Sequence, residues 1–261
     1  MSGFDWQTAT PEEVDYQYSP SKFAKRPLSE YLTEYAARSA EVDASLLRQQ
    51  GSPLLIFIHG GYWQSLSAAD SLYNGPKAMQ EGVSFHAVDY TLAPDASIEE
   101  IVNECIVDVK KTIAELKPTR IVIAGSSAGA HLTAMCARNA EIASHIHGVA
   151  LLSGVYDLRP LVFTPTNDPL HLTLETAAEV SPQLLPITSF ASHALLAVGV
   201  YEPEEFIRQN AEFAELLMAN NVKCTTMVLE DRDHFDLPYD LLQRGTQVGD
   251  WCLSILKGTE Q

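Results

Sequence analysis

A buried strand, a tight turn and a helix follow one another along Ile121-Val122-Ile123-Ala124-Gly125-Ser126-Ser127-Ala128-Gly129-Ala130-His131-Leu132. The centre of this stretch has the pattern Gly-x-Ser-x-Gly, and only Ser127 has glycine two positions away on both sides. Such a turn is too tight for side chains at its flanks, and it holds the central serine hydroxyl exposed at the helix N-terminus. The pattern predicts that Ser127 is a nucleophile; the alternative is a small-residue turn that only packs a helix on a sheet.

A serine hydroxyl is a weak nucleophile at neutral pH and needs a neighbouring base, usually a histidine that a carboxylate orients. After a Gly-x-Ser-x-Gly turn the expected chain order is Ser, then Asp or Glu, then His. His234 lies in a polar segment directly after the apolar run 222–229 and is the candidate base, with a solvated surface histidine as the alternative. His59 and His131 flank the glycine motifs and are expected to be structural hydrogen-bonding groups.

The carboxylate is expected in the loop after the preceding apolar run, residues 194–200. Glu202 comes first after this run, where the loop leaves the sheet, and is the preferred acid. Glu204 and Glu205 fit better in the first turn of the next helix, where acidic side chains interact favourably with the helix dipole.

A second glycine motif, His59-Gly60-Gly61-Tyr62-Trp63, follows the apolar run Leu54-Leu55-Ile56-Phe57-Ile58. When a serine attacks a carbonyl group, the carbonyl oxygen gains negative charge, and preorganised N–H donors stabilise it by roughly 3 to 4 kcal/mol each. The backbone N–H groups of Gly60, Gly61 and Ala128 are therefore the candidate oxyanion hole. Without the serine motif, an ordinary turn after a strand would be the preferred interpretation.

Aromatic residues next to these motifs are candidates for substrate binding. Tyr62 and Trp63 follow the oxyanion turn, and Tyr156 opens the segment after the strand 146–152, so an aromatic leaving group could stack on them. The alternative for each is core packing. Arg159 is a candidate partner for a substrate carboxylate by its position alone.

From residue 54 onward, apolar runs alternate with amphipathic stretches, which is typical of an α/β fold with a mostly parallel sheet flanked by helices. Strands are expected at 54–58, 85–88, 121–124, 146–152, 194–200 and 222–229; helices are expected to start at Pro11, to cover 28–40 and to run from about 237 to 256. The expected organisation is one domain over residues 1–261, with an N-terminal arm at 1–45 and a cap at 156–187, a stretch rich in Pro, Thr and Leu.

The charge balance restricts the partners of this chain. Its 34 acidic and 17 basic residues give a net charge of -17, which disfavours binding to nucleic acid and to anionic membrane surfaces. The four cysteines have no metal-site spacing, so neither a metal nor another cofactor is expected. Without an apolar leader or spanning segment, a soluble cytoplasmic protein is expected, with a small-molecule substrate as its partner and a homodimer left open.

Together these motifs resemble the α/β-hydrolase superfamily, close to its hormone-sensitive-lipase-like branch, in which Asp89-Tyr90-Thr91-Leu92-Ala93-Pro94 has a counterpart. Over nearly the whole chain the resemblance narrows to the kynurenine formamidase (arylformamidase) family, on four segments: His59-Gly60-Gly61-Tyr62-Trp63, Tyr18-Ser19-Pro20-Ser21, Ser153-Gly154-Val155-Tyr156-Asp157-Leu158 and Asp233-His234-Phe235-Asp236. The resemblance implies an α/β-hydrolase fold and the hydrolysis of N-formyl-L-kynurenine to kynurenine and formate without a metal. It also implies that Ser127 attacks the formyl carbon and that a formyl-serine forms.

Two departures from the family pattern limit this transfer. Proline commonly stands two positions after the family's acid, whereas Pro203 follows Glu202 directly, so Glu204 stays open as the acid. The strand pair that usually precedes the His-Gly-Gly strand is reduced here to residues 41–49. Two competing functions are a small-acyl carboxylesterase and a binding protein that has kept the fold and lost turnover. The intact serine, histidine and carboxylate argue against the binding protein.

Overall fold

A computed structural model describes residues 4–259 of the protein. Within this range six parallel strands form one sheet in the order β2-β1-β3-β4-β5-β6. The strands are β1 (Leu54–Ile58), β2 (Ser84–Val88), β3 (Ile121–Ser126), β4 (Gly148–Leu152), β5 (His193–Tyr201) and β6 (Lys223–Asp233). All six lie where the sequence predicts strands, although β6 continues past the predicted end to Asp233. Because the strands are parallel, their carboxyl ends lie along one edge of the sheet.

Nine α-helices accompany the sheet within the described range: α1 (Pro11–Gln17), α2 (Leu28–Ala40), α3 (Gly75–Gln80), α4 (Ile98–Leu116), α5 (Ala128–Ala137), α6 (Ala140–Ala143), α7 (Leu174–Glu179), α8 (Glu204–Ala219) and α9 (Gln247–Lys257). Capping boxes start α1, at Thr10 and Glu13, and α4, at Ser97 and Glu100. These reciprocal bonds satisfy N–H groups that a helix start leaves without partners. Among residues 4–259, no helix is both long and apolar enough to cross a membrane.

The predicted continuous helix over 237–256 is wrong. A 3-10 turn at Leu237–Asp240 is followed by a break, and α9 starts only at Gln247. Leu242 (φ 58°) and Gly245 (φ 82°) adopt left-handed backbone conformations, which end a right-handed helix. The side chain of Thr246 then accepts a hydrogen bond from the N–H of Gly249 and starts α9.

The segment 156–187 connects β4 to β5 with little regular structure. It contains two 3-10 turns, Arg159–Phe163 and Pro165–Asn167, followed by α7. Leu158 and Leu161 are fully buried, which explains the Leu-rich composition of this segment. Its predicted role as a cap stays a prediction.

Residues before β1 add no strand to the described sheet. The stretch 41–49 contains a 3-10 turn at Ala44–Leu47, so β2 is an edge strand. The N-terminal arm is attached instead to the end of β6 through Asp233. The buried Asp233 carboxylate accepts hydrogen bonds from the Tyr31 hydroxyl (2.5 Å) and from the N–H groups of Lys25 (2.8 Å), Phe235 (2.9 Å) and Asp236 (3.0 Å). The arm is thereby joined to the residue directly before His234.

Burial alone would raise the pKa of the Asp233 carboxyl, but these four hydrogen bonds outweigh burial and lower the pKa below its usual value. A carboxyl whose pKa falls on folding stabilises the protein above the unfolded pKa of about 3.9. This contribution is lost as the pH falls through the lower pKa of the folded state.

We expect Asp233→Asn to lower the free energy of unfolding at neutral pH by about 1–3 kcal/mol, the typical cost of weakening hydrogen bonds to a buried charge. The difference from the wild type should shrink as the pH is lowered through about 4 toward 3, as measured by urea unfolding at a series of pH values. Asp231→Asn, which changes an exposed neighbour, is the matched control. A loss of stability that is constant over this pH range would contradict the assignment.

Candidate active site

The carboxyl edge of the sheet brings together residues that are distant in the sequence. The His-Gly-Gly turn follows β1, Ser127 follows β3, Glu202 follows β5 and His234 follows β6. Strand register places the loops in line, since Ile58 pairs with Gly125 and Tyr201 pairs with Asp233. In open α/β sheets, ligands bind along this edge.

Ser127 occupies a strained turn between β3 and α5. Its backbone has φ 57° and ψ -122°, a conformation that side chains disfavour and that costs of order 1–3 kcal/mol. The Ser127 N–H donates to the carbonyl oxygen of Leu152 (2.8 Å), which holds the turn against β4. A Cβ atom at Gly125 would lie 2.1 Å from the carbonyl oxygen of Gly129, and one at Gly129 would lie 2.0 Å from that of Ile58. Only glycine therefore fits at the two flanking positions.

Glu202 and His234 form a buried pair. Nδ1 of His234 lies 2.8 Å from Oε2 of Glu202, and the Glu202 side chain is fully buried. The other carboxylate oxygen, Oε1, accepts hydrogen bonds from the Ser153 hydroxyl (2.5 Å) and from the Gly199 N–H (2.8 Å). With the proton on Nδ1, the imidazole has a lone pair on Nε2. Glu204, the alternative acid, is exposed at the start of α8 and is not part of this pair.

The candidate oxyanion donors lie next to the serine turn. A Cβ atom at Gly60 would be 2.7 Å from the carbonyl oxygen of Ser126 and 3.1 Å from Cβ of Ser127, so the two turns are in direct contact. Within residues 4–259, the backbone N–H groups of Gly60, Gly61 and Ala128 have no hydrogen-bond acceptor. The structure thus brings together donors without acceptors and the serine.

The two histidines expected to be structural do form hydrogen bonds. His59 Nδ1 lies 2.9 Å from the carbonyl oxygen of Gly60, and His131 Nε2 lies 2.7 Å from that of Val180. Burial lowers the pKa of His59 and lowers that of His131 to about 4, so both are neutral at pH 7.

A cavity of about 480 Å³ opens above Ser127 and His234, within the size range of small-molecule sites. Tyr62 lines this cavity, and its hydroxyl donates to the carbonyl oxygen of Tyr18 (2.6 Å).

The structure does not bring Trp63 or Tyr156 to the cavity. Trp63 is fully buried with its ring edge-on to His131, 5.1 Å between centroids. Tyr156 is fully buried and stacks on Phe213 at 4.3 Å. Both side chains therefore pack in the core, which was the alternative for each, and their predicted contact with the substrate is wrong.

The walls of the cavity are uncharged. Within the described range no Asp, Glu, Lys or Arg lines it. Arg159 does not reach it, because its guanidinium group is paired with Asp157 (2.7 Å). Hydroxyl and amide groups are present instead, on Ser19, Ser21, Gln64, Ser65, Ser71 and Thr166.

Sequence reasoning missed the contribution of the N-terminal arm to this cavity. Residues 18–21 and the half-exposed side chains of Leu28 and Leu32 form part of the wall. The segment Tyr18-Ser19-Pro20-Ser21, which carries part of the family resemblance, was the available signal. The role of Ser153 was also missed, since nothing in its sequence context predicts a bond to Glu202.

A comparison with family models matches residues 55–236 to the family described as having the alpha/beta hydrolase fold. The chain belongs to the α/β-hydrolase family. The fold predicted from the motifs is confirmed, and the chain is a hydrolase of this fold.

Curated relatives support the narrower resemblance. The chain is 29% identical to the kynurenine formamidase of Danio rerio over 89% of this chain and 92% of the relative. It is 28% identical to that of Salmo salar, over 96% of both chains, and 27% identical to that of Drosophila melanogaster, over 71% of this chain and 67% of the relative. The similarity to kynurenine formamidases predicted from the sequence is therefore confirmed.

Solved structures agree on the fold. A protein of a Silicibacter species, provisionally assigned as a thioesterase, superposes with a TM-score of 0.80 at 22% identity over 94% of this chain and 99% of that one. The hyperthermophilic esterase of Pyrobaculum calidifontis superposes with a TM-score of 0.71 at 17% identity, over 97% and 96%. At these identities the likeness establishes the architecture.

The two candidate acids can be separated by substitution. We expect Glu202→Ala to lower kcat for p-nitrophenyl acetate by roughly 10³- to 10⁴-fold, because the imidazole loses the carboxylate that orients it. Glu204→Ala, which changes an exposed glutamate two residues away, should stay within about twofold of the wild type. Steady-state kinetics of both variants measure this; a collapse of kcat in Glu204→Ala alone would contradict the assignment.

Proposed function

We propose that this protein is a metal-independent serine hydrolase that cleaves an aryl formamide, with N-formyl-L-kynurenine as the substrate and L-kynurenine and formate as the products. The observation that supports the reaction class is that His234, paired with the buried Glu202, lines the same cavity as Ser127. The substrate class is supported by the kynurenine formamidases to which most of the chain is similar.

In the first step, Oγ of Ser127 forms a bond to the formyl carbon and its proton passes to Nε2 of His234. The carbonyl π electrons move to the oxygen, and the N–H groups of Gly60, Gly61 and Ala128 stabilise the resulting charge. Glu202 stays ionised, holds the imidazole through Nδ1 and stabilises the imidazolium.

The tetrahedral intermediate then collapses. The bond between the formyl carbon and the aryl nitrogen breaks, its electron pair stays on nitrogen, and His234 gives its proton to that nitrogen. The amine leaves, and a formyl ester remains on Ser127. A water molecule then attacks this ester with His234 as the base, which releases formate and restores the serine hydroxyl.

The cavity favours a substrate that has an aromatic part and that does not need an ion pair with a charged side chain of the protein. Leu28, Leu32 and Leu66 provide an apolar wall. The amide nitrogen of Gln64 donates to the carbonyl oxygen of Thr166 (2.8 Å), which leaves the Gln64 amide oxygen and the Ser21 hydroxyl for the polar amino-acid portion of the substrate. The same absence of charged residues from the described wall favours a second candidate, a carboxylesterase for small neutral esters. A formyl and an acetyl group differ by one methyl group, which a pocket discriminates by only about 1–3 kcal/mol.

Turnover of two substrates tests the proposal. We expect the wild type to hydrolyse N-formyl-L-kynurenine, followed by the absorbance of kynurenine, with a higher kcat/KM than p-nitrophenyl acetate. Ser127→Ala should lose at least about 10³-fold of kcat on both, because no nucleophile is left. A fluorophosphonate probe should label the wild type and not this variant.

The outcomes separate the candidates. Ester turnover without formamide turnover would refute the formamidase and leave the esterase. Absence of turnover on both substrates, together with absence of labelling, would favour a binding protein that has kept the fold.

A further inference from the structure

The hydroxyl of Tyr90 contacts the His-Gly-Gly turn from the side of β2, whereas Ser127 lies on the side of β3. Tyr90 follows β2, whose carboxyl end lies on the same edge of the sheet. Its Oη lies 3.0 Å from the carbonyl oxygen of His59 and 3.1 Å from that of Gly60. The Tyr90 ring stacks on the imidazole of His59, with 4.2 Å between centroids and 14° between planes. One buried side chain therefore contacts two consecutive peptide groups of the turn.

These two peptide groups are the ones that carry the proposed oxyanion donors. The carbonyl of His59 and the N–H of Gly60 belong to one peptide group, and the carbonyl of Gly60 and the N–H of Gly61 belong to the next. Both peptide bonds are trans, and in a trans peptide the C=O and N–H bonds point in opposite directions. Holding the two carbonyl oxygens at Tyr90 thus turns both N–H groups away from Tyr90.

His59 reinforces this arrangement. Its Nδ1–H donates to the carbonyl oxygen of Gly60 (2.9 Å), the same atom that Tyr90 contacts. Burial raises the pKa of the Tyr90 hydroxyl well above its usual value, so the hydroxyl keeps the proton that it donates. Burial also lowers the pKa of His59, which keeps the ring neutral against the tyrosine. Gly60 and Gly61 themselves line the cavity, whereas Tyr90 does not.

We propose that Tyr90, supported by His59, is a positioning residue that orients the N–H groups of Gly60 and Gly61 toward the oxyanion of the reacting substrate. This inference rests on the proposed serine-hydrolase function. It assigns a role to the second residue of Asp89-Tyr90-Thr91-Leu92-Ala93-Pro94, which the catalytic steps above leave without one. Because the donors are needed where charge develops, their loss of orientation affects the transition state more than the bound substrate.

Tyr90→Phe tests this role, since it keeps the ring and its stacking on His59 and removes only the hydroxyl. We expect kcat to fall about 10- to 100-fold, less than for the complete loss of a donor, while KM stays within about twofold. Affinity for a phenylboronic acid, which forms a charged tetrahedral adduct with the serine, should fall in proportion to kcat/KM. Affinity for the product kynurenine, which carries no such charge at the scissile carbon, should stay unchanged.

Two further variants keep the test decisive. Tyr239→Phe removes a tyrosine hydroxyl outside the cavity and is the matched control, expected to keep wild-type kinetics. If Tyr90→Phe does not fold, as judged by circular dichroism, His59→Phe removes the Nδ1–H donor and keeps an aromatic ring against Tyr90. This variant should show the same selective loss of kcat and of boronate affinity, at about 3- to 30-fold.

The results separate this inference from the proposed function. Wild-type protein that turns over neither substrate would refute the proposed function before Tyr90 is considered. An active wild type with an equally active, folded Tyr90→Phe variant would overturn the inference alone. A variant that loses thermal stability and kcat but binds the boronic acid as the wild type does would also overturn it, because the role would then be structural.

Discussion

The site depends on the close backbone contact between the turn that carries Ser127 and the end of β1. A side chain at Gly129 would overlap the carbonyl oxygen of Ile58, and one at Gly60 would overlap that of Ser126. The absence of side chains at these two glycines lets the two turns touch. The contact holds the backbone of the serine turn against that of the His-Gly-Gly turn, so the proposed nucleophile and the proposed oxyanion donors belong to one unit. A unit of this kind needs no reorganisation when charge develops in the transition state.

Buried carboxylates connect the other parts of the site to this unit. Burying a charge is costly unless hydrogen bonds compensate it; within residues 4–259, Glu202 accepts three hydrogen bonds and Asp233 accepts four. Glu202 connects β4, β5 and the histidine loop, whereas Asp233 connects that loop to the N-terminal arm. The two acids therefore hold His234 in two ways. Glu202 binds its imidazole, and Asp233 fixes the backbone directly before it.

The sequence predicts those features that local physical constraints determine. The amphipathic spacing of Leu28–Ala40 gives the helix with its observed bounds, and the glycines around Ser127 predict the turn because no other residue fits there. The histidine and acid follow from the order of the strands. Trp63 shows where this reasoning ends, because its side chain direction is set by a left-handed backbone (φ 60°) that its residue type does not indicate. The break before α9 has the same origin at Leu242, a non-glycine residue with positive φ.

Features that depend on contacts between distant segments could not be predicted from the sequence. The N-terminal arm is one such case: Tyr18 donates to the buried Glu205 (2.8 Å) and Tyr31 to Asp233, and these bonds hold residues 18–21 against the cavity. The proposed catalytic groups come from the sheet edge, whereas part of the cavity wall comes from this arm. The arm also reaches the His-Gly-Gly turn, because the carbonyl oxygen of Tyr18 accepts a hydrogen bond from the hydroxyl of Tyr62 (2.6 Å). Substitutions in the arm are therefore expected to change the shape of the cavity next to the proposed oxyanion donors. Under the proposed function, the sheet edge supplies the reacting groups, and the first part of the chain shapes part of the cavity wall that faces the substrate.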